Sequence, residues 1–319
     1  MTRRLLAWLV AAMRVLFVEQ AAALPPAPEG RVAVVDIAFA AAENYQRSTV
    51  PFLDQLGDRL AIWIDHHEHP LGWSSVRGDD RFLLVPNRDA HACPELVTPE
   101  VVARAGHVDV VVAHADLDGL LSAVKYLRAG VQPWPEADED ARAADSPGRG
   151  HAITARGKLL LDALSEAQSA LRSKPREELR QAICAALVAM PAPWPPALEP
   201  RLRALQEQHA ETVAPARALA ETAVEEAPGV LVARSDGALP RSLKKELLSL
   251  LEERAAIGVV VEGRAVTVAT FREELDLARV ELLTAGRSDY RFTQSDDGAR
   301  AIVAALARLV REANPHVPA

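Results

Sequence analysis

The sequence predicts an α/β protein with a mostly parallel sheet in its first half, a helical connector, and a smaller α/β domain at its C-terminus. Three observations carry this. Between residues 13 and 150, short apolar β-branched runs alternate with stretches of helical spacing, the pattern of strand–helix units on a parallel sheet. Residues 151–227 are rich in Ala and Leu, with Leu159, Leu160, Leu161, Leu164, Ala167 and Leu171, and then Leu179, Ile183, Leu187, Leu202, Leu205 and Ala216, at helical spacing. From Pro228 the texture returns to alternating strands and helices. At 319 residues the chain can bury two cores, and the expected divisions are 13–150, 151–227 and 228–319.

The elements follow in order. Thr2-Arg3-Arg4 with Leu5–Val18 and Ala21-Ala22-Ala23 imitates a signal peptide, but Arg14 breaks the apolar run. Without disulfide cysteines downstream, the better expectation is a start at Met13 with Arg14–Glu19 as a first strand. Pro25-Pro26-Ala27-Pro28 is a loop into the strand Arg31–Val35, which runs into Asp36. Residues 50–60 suit a helix. Ala61–Ile64 is a strand ending in Asp65-His66-His67, followed by a polar loop to Asp80 and a short strand Arg81–Pro86. Thr98–Ala105 is a helix with Pro99 in its first turn. The strand Asp109–Ala113 runs into His114-Ala115-Asp116-Leu117-Asp118-Gly119, and Leu120–Leu127 continues as a helix. The acidic stretch 136–145 reads as a solvated face or a helix first turn. Toward the C-terminus come a strand Gly229–Arg234, a helix Leu239–Glu253, a hairpin of Ala256–Val261 and Ala265–Thr270, and helices Glu274–Leu283 and Ala299–Glu312.

Composition narrows the class. With 49% hydrophobic and 25% charged residues the chain reads as an ordinary soluble globular protein, with no membrane span. A net charge of −8 gives no bulk attraction to nucleic acid. Cys93 and Cys184 are too few and too far apart for a disulfide framework, which fits a cytoplasmic setting. Seven of the nine histidines (His66, His67, His69, His91, His107, His114 and His151) fall in the first half. No Walker loop, nucleophile elbow or dinucleotide fingerprint is present.

Three apolar strands thus end in Asp36, in Asp65-His66-His67, and in His114-x-Asp116-x-Asp118-Gly119. One such ending alone reads equally as a solvated loop start. In an open α/β sheet, however, the carboxyl ends of the strands line the ligand crevice. Imidazoles with carboxylates suit first-row divalent ions such as Mn²⁺, and a cluster this rich in acids can hold two.

Asp65-His66-His67 resembles the signature of the DHH phosphoesterase family. The stretch His114-Ala115-Asp116-Leu117-Asp118-Gly119-Leu120-Leu121-Ser122-Ala123 is similar to that family's first motif, and Asp36 to the lone Asp of its second. The likeness covers roughly the first half of the chain. In the family the His-x-Asp-x-Asp stretch comes first and here it comes last, which a circular permutation would explain. The resemblance implies two Mn²⁺ ions, with Mg²⁺ or Co²⁺ as alternatives. His114 and Asp116 would hold one ion. Asp118 and His66 would hold the other with a further Asp, for which Asp145 is the candidate and Asp140 and Asp89 are rivals. Asp36 would bridge. Asp65 and His67 would be catalytic, His67 facing a substrate phosphate and Asp65 orienting an imidazole.

The position of the C-terminal domain resembles that of the substrate-binding DHHA1 domain. Its candidate contacts are Gly286, Arg287, Tyr290 and Arg291, although this stretch lacks the family's glycine run and histidine and reads equally as an ordinary turn. The implied activity is two-metal hydrolysis of nucleotide phosphoesters or short oligonucleotides, in the cytoplasm. The alternatives are a pyrophosphatase or polyphosphatase, or a non-catalytic nucleotide-binding module. The sequence leaves the oligomeric state open, a homodimer included.

Overall fold

The computed structural model describes residues 13–20, 23–39, 45–67, 73–146, 150–263, 265–272, 274–280, 283 and 299–313. The chain is an α/β protein that divides into two compact units. The first comprises Met1–Asp145 with Ala152–Glu207, and the second Ser146–His151 with Gln208–Ala319.

The first unit is built on five parallel strands: β1 (Arg14–Val18), β2 (Val32–Val35), β3 (Leu60–Asp65), β4 (Phe82–Leu84) and β5 (Val110–His114). Their order across the sheet is β1-β5-β2-β3-β4. The near-continuous apolar runs are explained by burial on both faces. Along β2, Ala33 and Val35 enter one core while Val32 and Val34 enter the other. The first core takes the helices α3 (Leu117–Leu127), α4 (Ala137–Asp145), α5 (Ala155–Ala170) and α6 (Ser173–Val188). The second is closed by α1 (Val50–Leu56) and an aromatic group in which Phe39 meets Trp63 edge-on at 5.2 Å and Phe82 at 5.3 Å. Such edge-to-face pairs each add about 0.5–1.5 kcal/mol beyond their burial. The remaining helix, α2 (Pro99–Ala105), is capped by the Thr98 hydroxyl.

The strand order places the site. From β2 the chain moves outward to β3 and β4, then returns to insert β5 on the other side of β2. The ends of β2 and β5 are therefore the point at which the connections diverge, where open sheets form their crevice. Register aligns the strand ends: Val35 pairs with both Ile64 and Ala113, and Val18 with His114. Asp36, Asp65 and His114 thus arrive at one edge.

The second unit carries a four-stranded sheet in the order β6-β7-β8-β9: β6 (Val224–Ala227), β7 (Val230–Ser235), β8 (Ile257–Glu262) and β9 (Ala265–Ala269). β7 and β8 are parallel, and the outer pairs are antiparallel. α8 (Arg241–Glu252) packs on one face and α9 (Ala299–Ala313) on the other. The long helix α7 (Leu198–Glu221) spans the boundary between the units in sequence.

Three expectations are corrected. The helix after the third motif begins at Leu117 and not at Leu120, because the Asp116 side chain caps it by accepting from the Gly119 N–H at 3.0 Å. β6 lies where a helix was expected to continue; its Glu-rich, solvated face hides the strand. Among the described residues, the helix expected over Glu274–Leu283 is a series of tight turns around Leu277–Arg279. They close by bonds between residues three apart, and bury Leu275, Leu277, Val280 and Leu283. No helix among the described residues is long and apolar enough to cross a membrane.

Candidate metal centre

Asp36 follows β2 directly and adopts a left-handed backbone, φ 55°, which non-glycine residues enter at a cost of about 1–3 kcal/mol. The conformation is held by the Asp36 N–H donating to the Ile64 carbonyl at 2.9 Å, and by the Phe39 N–H donating to Asp65 Oδ2 at 2.9 Å. At β5 the return into α3 passes so close to the strand that a Cβ on Gly119 would stand 2.3 Å from the His114 carbonyl oxygen. Only glycine fits there, and the approach turns Asp118 inward. α4 then ends on Asp145.

These elements bring the acids and imidazoles together. His66 Nε2 lies 3.4 Å from Asp36 Oδ1, 3.2 Å from Asp118 Oδ2 and 3.8 Å from Asp145 Oδ2. His114 Nδ1 lies 2.7 Å from Asp116 Oδ2 and 3.9 Å from Asp36 Oδ2. Asp36 therefore turns one oxygen to each imidazole. Three sets of donors have their atoms within 4.8 Å of one another: Asp36, His114 and Asp116; His66, Asp118 and Asp145; and Asp36, His66 and His67. Asp36, His66 and Asp118 are buried, whereas Asp116, Asp145 and His114 reach solvent.

The buried atoms of the cluster meet one another in ion-pair contacts but are not satisfied by hydrogen bonds. Both oxygens of Asp36, Asp118 Oδ1 and His66 Nε2 have no hydrogen bond. Each such atom costs about 1–3 kcal/mol, and four in one cluster of acids and imidazoles fit a site that cations would satisfy. The titration behaviour has the same origin. Burial, with the nearby Asp116 charge, pushes the Asp36 carboxyl up to about 6. Burial and Asp36 push Asp118 well above the usual carboxylate range. Burial opposes a charged His66, but Asp118 and Asp36 outweigh it and hold the imidazole well above its ordinary value. Asp116 carries His114 up to about 10 against burial. The metal-free cluster thus balances its charge with protons, which a divalent ion would replace.

Asp65 is fully buried and holds His67: its Oδ1 lies 2.8 Å from His67 Nδ1. Burial opposes the charge on His67, and Asp65 overcomes it, raising the imidazole to about 9. Of the rivals to Asp145, Asp140 is buried away from the cluster and accepts from Trp134 Nε1 at 2.9 Å and Thr154 Oγ1 at 2.6 Å. Asp89 is exposed beside Arg88. Gly286, Arg287, Tyr290 and Arg291 lie outside the described residues. Sequence reasoning missed the backbone and amide groups around His66 and Asp118: Asn87 Nδ2 at 3.2 Å and the Ala90 carbonyl at 3.1 Å from His66 Nδ1, and the Cys93 N–H donating to Asp118 Oδ2 at 3.1 Å. Backbone groups leave no residue-type signal. Cys93 itself is a buried thiol whose titration burial pushes up, which makes it a core residue and not a nucleophile.

No protein-family model matches the chain, and no curated protein does. Among solved structures, the exonuclease RecJ bound to manganese is similar over 99% of this chain and 94% of that one, at 14% identity and a TM-score of 0.35. A likeness this loose assigns neither fold nor chemistry.

Proposed function

We propose that this chain is a metal-dependent phosphoesterase of the DHH type, acting on nucleotide phosphoesters or short oligonucleotides. The observation that carries the reading is the pair of three-donor groups, one of Asp36, His114 and Asp116 and one of His66, Asp118 and Asp145, joined by the 3.4 Å approach of His66 Nε2 to Asp36, with four buried atoms left without hydrogen bonds. The donors, imidazole nitrogen and carboxylate oxygen, suit Mn²⁺, with Mg²⁺ or Co²⁺ as alternatives. His114, Asp116 and Asp36 would hold one ion, and His66, Asp118, Asp145 and Asp36 the other. When bound, the ions supply Lewis acidity, which activates water and stabilises charge on phosphate oxygens.

The chain's own groups do the rest. Asp36 offers one oxygen to each group and so sets their spacing. Asp65 fixes the His67 ring through Nδ1 and keeps it protonated at neutral pH, so that Nε2–H can donate to a phosphate oxygen in the crevice. Arg287, Arg291 and Tyr290, with backbone access at Gly286, are the proposed contacts to the rest of a short substrate. A net charge of −8 fits a short substrate better than a long strand, which needs a continuous basic groove.

The test is a panel of phosphate compounds offered to metal-stripped protein with and without added Mn²⁺: a generic phosphodiester, nucleoside monophosphates, short and long oligonucleotides, and pyrophosphate. Mn²⁺-stimulated release from the nucleotide compounds and short oligonucleotides is expected, with weak activity on long strands. No Mn²⁺-dependent turnover of any compound would refute the reading. Turnover confined to pyrophosphate would replace the nucleotide assignment with a pyrophosphatase.

A further inference from the structure

A six-residue segment, Ala90–Glu95, contacts three of the elements that carry the cluster's donors. At its start the Ala90 carbonyl stands 3.1 Å from His66 Nδ1. A carbonyl can only accept, so with a proton on Nδ1 this contact fixes the ring with its Nε2 edge turned to Asp36, Asp118 and Asp145. In the middle, the Cys93 N–H donates to Asp118 Oδ2 at 3.1 Å, while Asp118 Oδ1 is left without a partner. At its end, Glu95 makes two separate contacts. Its Oε1 accepts from the Ala92 N–H at 2.9 Å, which closes the segment on itself. Its Oε2 accepts from Arg142 Nη2 at 2.9 Å.

Arg142 stands on α4 three residues before Asp145, and residues three apart share a helix face. One carboxylate therefore ties the segment that orients His66 and Asp118 to the helix that delivers Asp145. A second tie runs parallel to it: Lys125, on the helix of Asp118, donates to the Pro94 carbonyl at 2.7 Å and to Asp138 of α4 at 2.6 Å. Glu95 touches none of the three donors, yet every one of them is reached from it by one or two contacts.

We propose that Glu95 is a positioning residue for one of the two ion sites, the one formed by His66, Asp118 and Asp145. The inference rests on the phosphoesterase reading and makes it asymmetric. Loss of Glu95 loosens that site, whereas the contacts traced from Glu95 lead to His66, Asp118 and Asp145, so the ion held by His114 and Asp116 should keep its affinity.

The test uses the full chain, stripped of metal and titrated with MnCl₂ by calorimetry and by the electron paramagnetic resonance of free Mn²⁺. Glu95→Ala should weaken one of two Mn²⁺ sites by about 10- to 100-fold and leave the other within about twofold. Glu95→Gln keeps an acceptor for the Ala92 N–H and should recover part of the loss. Arg142→Gln, at a partly exposed position, should weaken the same site by about tenfold, and carries the test if Glu95→Ala does not fold. Because the two residues act through one contact, the double variant should be no worse than Glu95→Ala alone. Variants that melt earlier but bind both ions as the parent does would overturn the inference, since a purely structural role moves the melting temperature and not the ion affinity. A parent that binds no Mn²⁺ would instead sink the phosphoesterase reading, and this inference with it.

Discussion

Asp36→Asn should make the metal-free protein more stable and the metal-loaded activity vanish. The Asp36 carboxylate is 2% exposed and neither oxygen has a hydrogen bond. Burial and the facing Asp116 raise it from the ordinary 3.8 to about 6. Holding it ionised at neutral pH therefore costs the folded chain about 3 kcal/mol relative to the unfolded one. Asn has nearly the same shape, tolerates the left-handed backbone at this position, and carries no charge. Its amide is still buried, so the gain at pH 7 should be roughly 1–3 kcal/mol, or roughly 3–10 °C in melting temperature for a unit of this size. The sign follows from linkage. Well below pH 4 the carboxyl is neutral in both folded and unfolded chains, and the pH-dependent gap between parent and variant should close toward that limit. Between about pH 4 and 6 the unfolded chain gives up this proton while the folded chain keeps it, so the parent's melting temperature should fall behind that of the variant across that window and stay behind above it. Thermal melts of chelator-treated protein from pH 4 to 8 measure this directly. Added Mn²⁺ should then raise the melting temperature of the parent and barely move that of Asp36→Asn. A metal-free variant that melts at or below the parent at pH 7 would show that Asp36 is satisfied by the protein itself, and the case for an ion bridged by it would fail.

The other predictions concern protons, packing and the substrate side. Mn²⁺ affinity should rise from pH 6 to 8, because binding must expel the protons that Asp116 and Asp118 hold on His114 and His66; calorimetry in buffers of different ionisation enthalpy should register proton release, and a pH-independent affinity would contradict it. Gly119→Ala should destabilise the first unit by about 1–3 kcal/mol and lower ion affinity, since its Cβ would meet the His114 carbonyl at 2.3 Å; an unchanged melting temperature would mean that α3 shifts freely. His67→Asn should leave the number of bound ions at two while slowing turnover by about 100-fold or more, as expected for a lost donor to a phosphate oxygen; a drop in bound Mn²⁺ would instead place His67 among the ligands beside Asp36 and His66.

The strands that carry the site were legible because their signal is local. Val32–Val35, Leu60–Asp65 and Val110–His114 are apolar at nearly every position, and a strand buried on both faces needs that and nothing else from the chain. Their endings in Asp36, Asp65-His66-His67 and His114-Ala115-Asp116 were equally plain, because burying such groups without a purpose is costly. The sequence alone therefore determined the α/β class, the strand ends and most of the acids and imidazoles that the fold brings together. What it left open depends on contacts between residues far apart in the chain. The insertion of β5 between β1 and β2 is one such contact, and it creates the crevice. The choice of Asp145 over Asp140 is another. The two acids sit five residues apart on α4, on different sides of the helix, and only the packing of that helix against Trp134 and Thr154 turns Asp140 away and Asp145 toward His66. The Ala90 carbonyl and Cys93 N–H were out of reach for a further reason: a backbone group is the same in every residue, so its role is decided entirely by where the tertiary structure puts it.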